Sequence, residues 1–284
     1  MQQRPFKQVD VFTAMAYRGN PLAVVLDAGG MSDEAMQHFA QWTNLSETAF
    51  LLAPDDDAAD YRVRIFTPAA ELPFAGHPTL GSCHAWLEAG GKPRSRGFVV
   101  QECKTGLVRI RREGGRLAFA APPLKRSAPS AARLPQVAAA LGLKASQVIA
   151  AQTLDNGPVW IALLLDSPQT VLKLSPDHLA LKNLGVKVGV AAIYETSGEA
   201  GEAPLLEVRA FAAASGIPED PVTGSLNASL GQWLVAEGRL PTRYLAAQGV
   251  CLQRAGRVHV EQDRAGQLWV GGESVTCISG TVSL

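Results

Sequence analysis

Cysteine is scarce in this chain of 284 residues. Cys83, Cys103, Cys251 and Cys277 stand far apart, with no Cys-x-x-Cys pair. The spacing signals of a zinc site or a disulfide framework are therefore missing, and buried free thiols are the plain reading. Charge of one sign is lacking too, because 26 Lys and Arg balance 26 Asp and Glu. No basic surplus argues for nucleic acid or an anionic membrane surface, although a small anion needs only a local donor pocket. No uncharged apolar run approaches the ~18–20 residues of a membrane span. The segment Met1 to Val11 lacks an apolar signal core with a small-residue cleavage site, so the cytoplasm is the expected location. Gly-rich phosphate loops and a Gly-x-Ser-x-Gly nucleophile elbow do not occur. His77, Cys83 and His84 are near one another, but their six- and seven-residue steps (83 − 77 = 6; 84 − 77 = 7) match no common zinc spacing. His38, His178 and His259 add no pattern, so no metal is expected.

Short strand-like runs dominate what is present. In the first half they are Phe6–Phe12, Leu22–Leu26, Thr48–Leu52, Tyr61–Thr67, Phe98–Glu102 and Leu107–Arg111. The second half supplies Gln147–Ala151, Val159–Leu165, Gly189–Tyr194, Leu205–Phe211, Arg257–Glu261, Leu268–Val270 and Val275–Thr281. Tyr61-Arg62-Val63-Arg64-Ile65 alternates apolar with charged, as a half-buried strand does. Helices are fewer. Ser32 reads as an N-cap with Asp33 and Glu34 in the first turn, and Ser175-Pro176-Asp177 opens another helix with Pro at its first position. Two more begin near Thr79 and Thr223.

These elements recur at a fixed distance. Met31-Ser32 precedes Leu174-Ser175 by 143 residues (174 − 31 = 143), and Thr48-Ala49-Phe50 falls on Ala191-Ala192-Ile193 by the same step. His77-Pro78-Thr79-Leu80-Gly81-Ser82 falls on Asp220-Pro221-Val222-Thr223-Gly224-Ser225 (220 − 77 = 143). Arg64-Ile65-Phe66 and Arg209-Ala210-Phe211 match with an offset of 145 (209 − 64 = 145). Two similar halves follow: residues 1–120, joined by the C-terminal strand 272–284, and residues 134–271. The Pro-rich stretch 121–133 is the expected linker.

The runs Leu80–Leu87 and Leu226–Val235 that follow the shared motif are uncharged until Glu88 and Glu237. A helix with no charged face is normally enclosed, which predicts an α+β protein with one enclosed helix per half. If the halves face one another, the two helix N-termini offer free N–H groups and positive partial charge to a small carboxylate. The informative residues break the repeat. His77 is replaced by Asp220, and Glu47 maps onto Val190, leaving one extra carboxylate for proton transfer. Taken singly, each also suits a structural role: a solvated strand-entry Glu, a helix-entry His, an Asp N-cap.

Asp10-Val11-Phe12-Thr13, Gly19-Asn20-Pro21, Leu45-Ser46-Glu47-Thr48-Ala49-Phe50, Phe74-Ala75-Gly76-His77-Pro78-Thr79-Leu80-Gly81 and Glu219-Asp220-Pro221-Val222-Thr223-Gly224-Ser225 together resemble the PhzF-like family of phenazine biosynthesis. The resemblance implies a diaminopimelate epimerase-like fold of two pseudo-symmetric halves, each a β-sheet or barrel wrapped around a central helix. It also implies a cofactor-free isomerase in which Glu47 is the general acid/base, assisted by His77 and Asp220. Ser46, Gly76, Gly224, Ser225 and Asn20 would bind a small carboxylated substrate, and the working form would be a homodimer. Two-thiol racemase chemistry is not implied, because Cys83 lies inside the helix rather than at its entrance. A non-catalytic small-acid binding or regulatory protein using the same cleft is the alternative, with a hydrolase or lyase behind it.

Overall fold

The computed structural model describes residues 2–195 and 203–284. They divide into two compact units, one running to Ala120 and taking in Gly271–Leu284, the other Ala121–Val270. The first unit contains β1 (Gln3–Val11), β2 (Asn20–Val25), α1 (Asp33–Thr43), β3 (Thr48–Leu52), β4 (Tyr61–Phe66), β5 (Glu71–Leu72), α2 (Gly76–Glu88), β6 (Phe98–Cys103), β7 (Gly106–Glu113) and β8 (Arg116–Ala120). The second opens with β9 (Lys125–Ser127), α3 (Arg133–Ala140), β10 (Val148–Asp155), β11 (Val159–Leu165), α4 (Pro168–Lys173), α5 (His178–Leu184) and β12 (Lys187–Ile193). It continues with β13 (Leu206–Ala212), β14 (Ile217–Asp220), α6 (Gly224–Ala236), β15 (Arg243–Gln248), β16 (Gly256–Gln262) and β17 (Leu268–Gly272), whose last two residues belong to the first unit. The last strand, β18 (Ser274–Ser283), pairs antiparallel with β1 in the first unit.

Strand pairing shows the duplication more firmly than sequence spacing does. Along β1-β2-β3-β4-β6-β7 the pairings run antiparallel, parallel, antiparallel, parallel, antiparallel. Along β10-β11-β12-β13-β15-β16 they run in the same order. Each unit therefore has the sheet-and-central-helix plan of the diaminopimelate epimerase-like fold. The parallel pairs need crossovers, which α1 and α2 supply in the first unit and α4–α5 and α6 in the second.

The central helices are enclosed because they carry no Asp, Glu, Lys or Arg before Glu88 at the end of α2. In α2 every residue from Gly76 to Cys83 is buried, and in α6 the buried set includes Leu226, Asn227, Ala228, Leu230, Trp233 and Leu234. Gly81 lets α2 lie close on the sheet: a Cβ there would stand 2.7 Å from Leu22 Cδ2 and 2.9 Å from Val11 Cγ2. An outer layer forms where α1 lays Met36, Phe39 and Ala40 against Val25, Phe50 and Phe66. Strand β3 thus buries both faces, which is why Thr48–Leu52 reads as a continuous apolar run rather than an alternating one.

Several expectations need correction. Residues 121–133 are not a bare linker, since Lys125–Ser127 pairs antiparallel with β10. The cap expected at Ser175 is Asp177, whose carboxylate accepts from Ala180 N at 2.9 Å, so Pro176 precedes the helix. Most important, α2 and α6 begin at Gly76 and Gly224, which are 148 apart (224 − 76 = 148), not 143. Pro78 lies inside α2, whereas Pro221 precedes α6, so the shared Pro-x-x-Gly-Ser string occupies two different registers. The strands correct the partner of Glu47 as well. Thr48 pairs with Phe66 and Val188 with Phe211, so the residue matching Glu47 is Lys187, not Val190.

A further repeat was not visible in the spacing. Arg64 grips Glu71 with Nε and Nη2 at 2.8 and 2.9 Å, and Arg209 grips Glu219 with the same two nitrogens at 2.9 and 2.8 Å. Each glutamate lies five residues before its central helix (76 − 71 = 5; 224 − 219 = 5). The two forks pin the segments that lead into the helix entrances.

Candidate active site

Helix α1 delivers the chain to Glu47. Ser32 caps its start by accepting from Ala35 N at 3.2 Å, with Asp33 and Glu34 in the first turn. Asn44 ends it in the left-handed conformation (φ 53°), turning the chain back toward the sheet. Only Leu45, Ser46 and Glu47 then remain before β3. The hydroxyls of Thr43 and Thr48 meet at 3.0 Å across this connection, and Thr48 is fully buried. Glu47 is thus held from both sides.

His77 is the second residue of α2, whose entry residue Ala75 is extended. Its Nε2 stands 3.6 Å from Glu47 Oε2, and the two side chains are only 6% and 14% exposed. Sequence reasoning named both residues, and the first unit brings them together. Gly76, beside His77, is buried at the first position of the helix. Ser46 is half-buried in the connection before Glu47, and Asn20 is fully buried at the start of β2, opposite Val11. Cys83 is buried in α2, and burial pushes its thiol well above the usual range, which removes it as a thiolate base.

In the second unit, Asp220 ends β14 and Gly224 begins α6. The Thr223 hydroxyl donates to Asp220 Oδ2 at 2.6 Å. Ser225 Oγ accepts from Trp160 Nε1 at 3.2 Å, and its carbonyl accepts from Asn156 Nδ2 at 3.0 Å. With the indole filling an acceptor lobe, the Ser225 hydroxyl proton points elsewhere. Thr223, Gln248, Trp160 and Asn156 were missed from the sequence. Their available signal was polarity inside otherwise apolar stretches, such as Gln248 closing Tyr244-Leu245-Ala246-Ala247.

Among the described residues no helix is long and apolar enough to cross a membrane. The family model of phenazine biosynthesis-like proteins, PhzC-PhzF, matches residues 9–280. "Antisense-enhancing sequence 1" of Schizosaccharomyces pombe is 37% identical, covering 99% of this chain and 99% of its own length. Trans-2,3-dihydro-3-hydroxyanthranilate isomerase of Pseudomonas aeruginosa is 33% identical over 91% of this chain and 90% of its own. Among solved structures, a PhzF-family protein of Bacillus anthracis superposes with a TM-score of 0.85 over the full length of both chains at 23% identity, a likeness of fold. By sequence and by fold, the chain belongs to the phenazine biosynthesis-like (PhzC-PhzF) family.

Proposed function

We propose that this protein is a cofactor-independent isomerase that moves a proton on a small carboxylated metabolite, with Glu47 as general acid/base. The observation that carries the reading is the Glu47–His77 pair, 3.6 Å apart and nearly buried at the entrance of α2. A carboxylate screened from water and set beside an imidazole can take a proton from an activated C–H bond and return it elsewhere, a contribution of about 10²–10⁴-fold. His77 steadies the charge on Glu47 and can pass the proton on. The resemblance also assigns Asp220 an assisting role in the proton transfer. Binding of the substrate carboxylate is assigned by the same resemblance to Gly76, Gly224, Ser225, Ser46 and Asn20, of which Gly76 and Gly224 each offer a helix-start N–H. The homodimer implied by the resemblance belongs to the same proposal, and light scattering decides it.

The substrate class follows from the chemistry: a small acid bearing a C–H bond whose carbanion is delocalised. The first compound to try is trans-2,3-dihydro-3-hydroxyanthranilate, the substrate in the name of the Pseudomonas aeruginosa relative. Incubated with the protein in heavy water, a true substrate acquires deuterium at the carbon that receives the proton, read by NMR. Binding of such acids without exchange across a panel would instead favour the binding-protein alternative. The isomerase names of relatives weigh against that outcome.

A further inference from the structure

We propose that Gln248 is a positioning residue for the reaction: its amide fixes the Thr223 hydroxyl so that the hydroxyl's single proton is given to the Asp220 carboxylate. The proposal rests on the reading of Asp220 as part of the acid/base machinery. Gln248 closes β15 and is only 1% exposed. Its oxygen accepts from Thr223 N at 3.0 Å and from Asn227 Nδ2 at 2.9 Å. Its nitrogen donates to the Asp220 carbonyl at 3.0 Å and to Thr223 Oγ1 at 3.0 Å. Two donors on one side and a carbonyl on the other determine which end of the amide is oxygen, since the flipped form would set NH₂ against two N–H donors.

The direction of the remaining bond follows. Thr223 Oγ1 already accepts from Gln248, so its only proton is free to go to Asp220 Oδ2, 2.6 Å away. That short contact to a carboxylate is the strong kind of hydrogen bond. All donors and acceptors of the Gln248 amide are used, so it has no low-cost alternative orientation. Asp220 is held at both its carbonyl and its carboxylate, and the same amide accepts from the N–H of the residue preceding α6. In the first unit Gln101 plays a related part, accepting from Tyr61 at 2.9 Å and donating to Thr79 Oγ1 at 3.1 Å. A buried glutamine from β6 and one from β15 thus each reach a threonine at the start of a central helix.

The test uses Thr223→Val, which removes the hydroxyl at nearly constant volume, Thr223→Ser, which keeps it, and Gln248→Met, which removes the amide. Three-bond couplings across the Asp220 χ1 bond report a single staggered rotamer in the wild type and in Thr223→Ser, and averaged values in Thr223→Val and Gln248→Met. In the heavy-water exchange assay with trans-2,3-dihydro-3-hydroxyanthranilate, Thr223→Val loses about 10²-fold in kcat with KM changed by less than about threefold. Thr223→Ser returns to within about threefold of wild type. A single, unchanged Asp220 rotamer in Thr223→Val, or in a folded Gln248→Met, overturns the proposal whatever the kinetics. Averaged couplings with unchanged exchange overturn the role of Asp220 itself, and the positioning role with it. If Gln248→Met fails to fold, or the wild type does not turn over this compound, the couplings of the two Thr223 variants decide.

Discussion

The two Arg–Glu forks share their geometry and differ in burial, which makes them a controlled comparison. Arg209 and Glu219 are 6% and 7% exposed, whereas Arg64 and Glu71 are 22% and 19% exposed. Removing one partner of a buried pair leaves an uncompensated charge and costs about 3–5 kcal/mol. For the half-buried Arg64–Glu71 pair the cost moves toward the about 0–1 kcal/mol of exposed pairs. The Arg209 guanidinium cannot swing out to water after its partner is lost, because Nη1 also donates to the carbonyls of Val171 and Leu174 at 3.1 and 2.9 Å. Arg64, by contrast, keeps Asp33 at 2.6 Å. Glu219→Gln is therefore expected to cost about 3 kcal/mol or more, and Glu71→Gln about 1 kcal/mol or less. Urea unfolding followed by both fluorescence and circular dichroism gives the two values. Coincident transitions are required first, because two units can unfold separately. Equal costs, within about 0.5 kcal/mol, would refute the argument that burial sets the strength of this repeated contact.

Two further perturbations have defined signs. Burial raises the Glu207 carboxyl above its ordinary 4.5, against the lowering effects of the Tyr194 hydroxyl, Arg257 and Arg209. A raised folded value means the linked stability is full below 4.5 and is lost as pH rises through that raised value. Glu207→Gln should then raise Tm near pH 8, with the gain vanishing near pH 4; an unchanged or lower Tm near pH 8 contradicts it. Gly249 has φ +97°, and a Cβ there would stand 2.6 Å from the Pro221 carbonyl, next to Asp220. Gly249→Ala should cost about 1–3 kcal/mol and slow exchange, while Gly266→Ala, at φ +83° with open space around it, should cost only the backbone strain and leave exchange alone.

Much of the first unit's candidate site is legible because it is local. Ser32, Asn44 and the short step to Glu47 are capping and turn chemistry written in consecutive residues. His77 stood out because it fell opposite Asp220 in the 143-residue repeat, although the helix starts set it opposite Ser225 (77 + 148 = 225). The register of the second half is not legible from the five-residue Pro-x-x-Gly-Ser string, because hydrogen-bonded strand pairs set it. The string therefore points to Val190, whereas the strand pairs set Lys187 opposite Glu47. Strand β15 went unseen because its alanines carry little β signal, and with it went Gln248. The short β9 depends on β10, a partner 28 residues on (154 − 126 = 28), which local pattern does not encode, and β14 is too short at four residues for its alternation to show.

The central claim is that Glu47 carries the proton. Wild-type protein and Glu47→Gln are compared for deuterium uptake from heavy water into the same carboxylated substrate, with circular dichroism establishing that both are folded. The account predicts that exchange falls by about 10²-fold or more in Glu47→Gln while the substrate still binds. Exchange at the wild-type rate in a folded Glu47→Gln protein would contradict it.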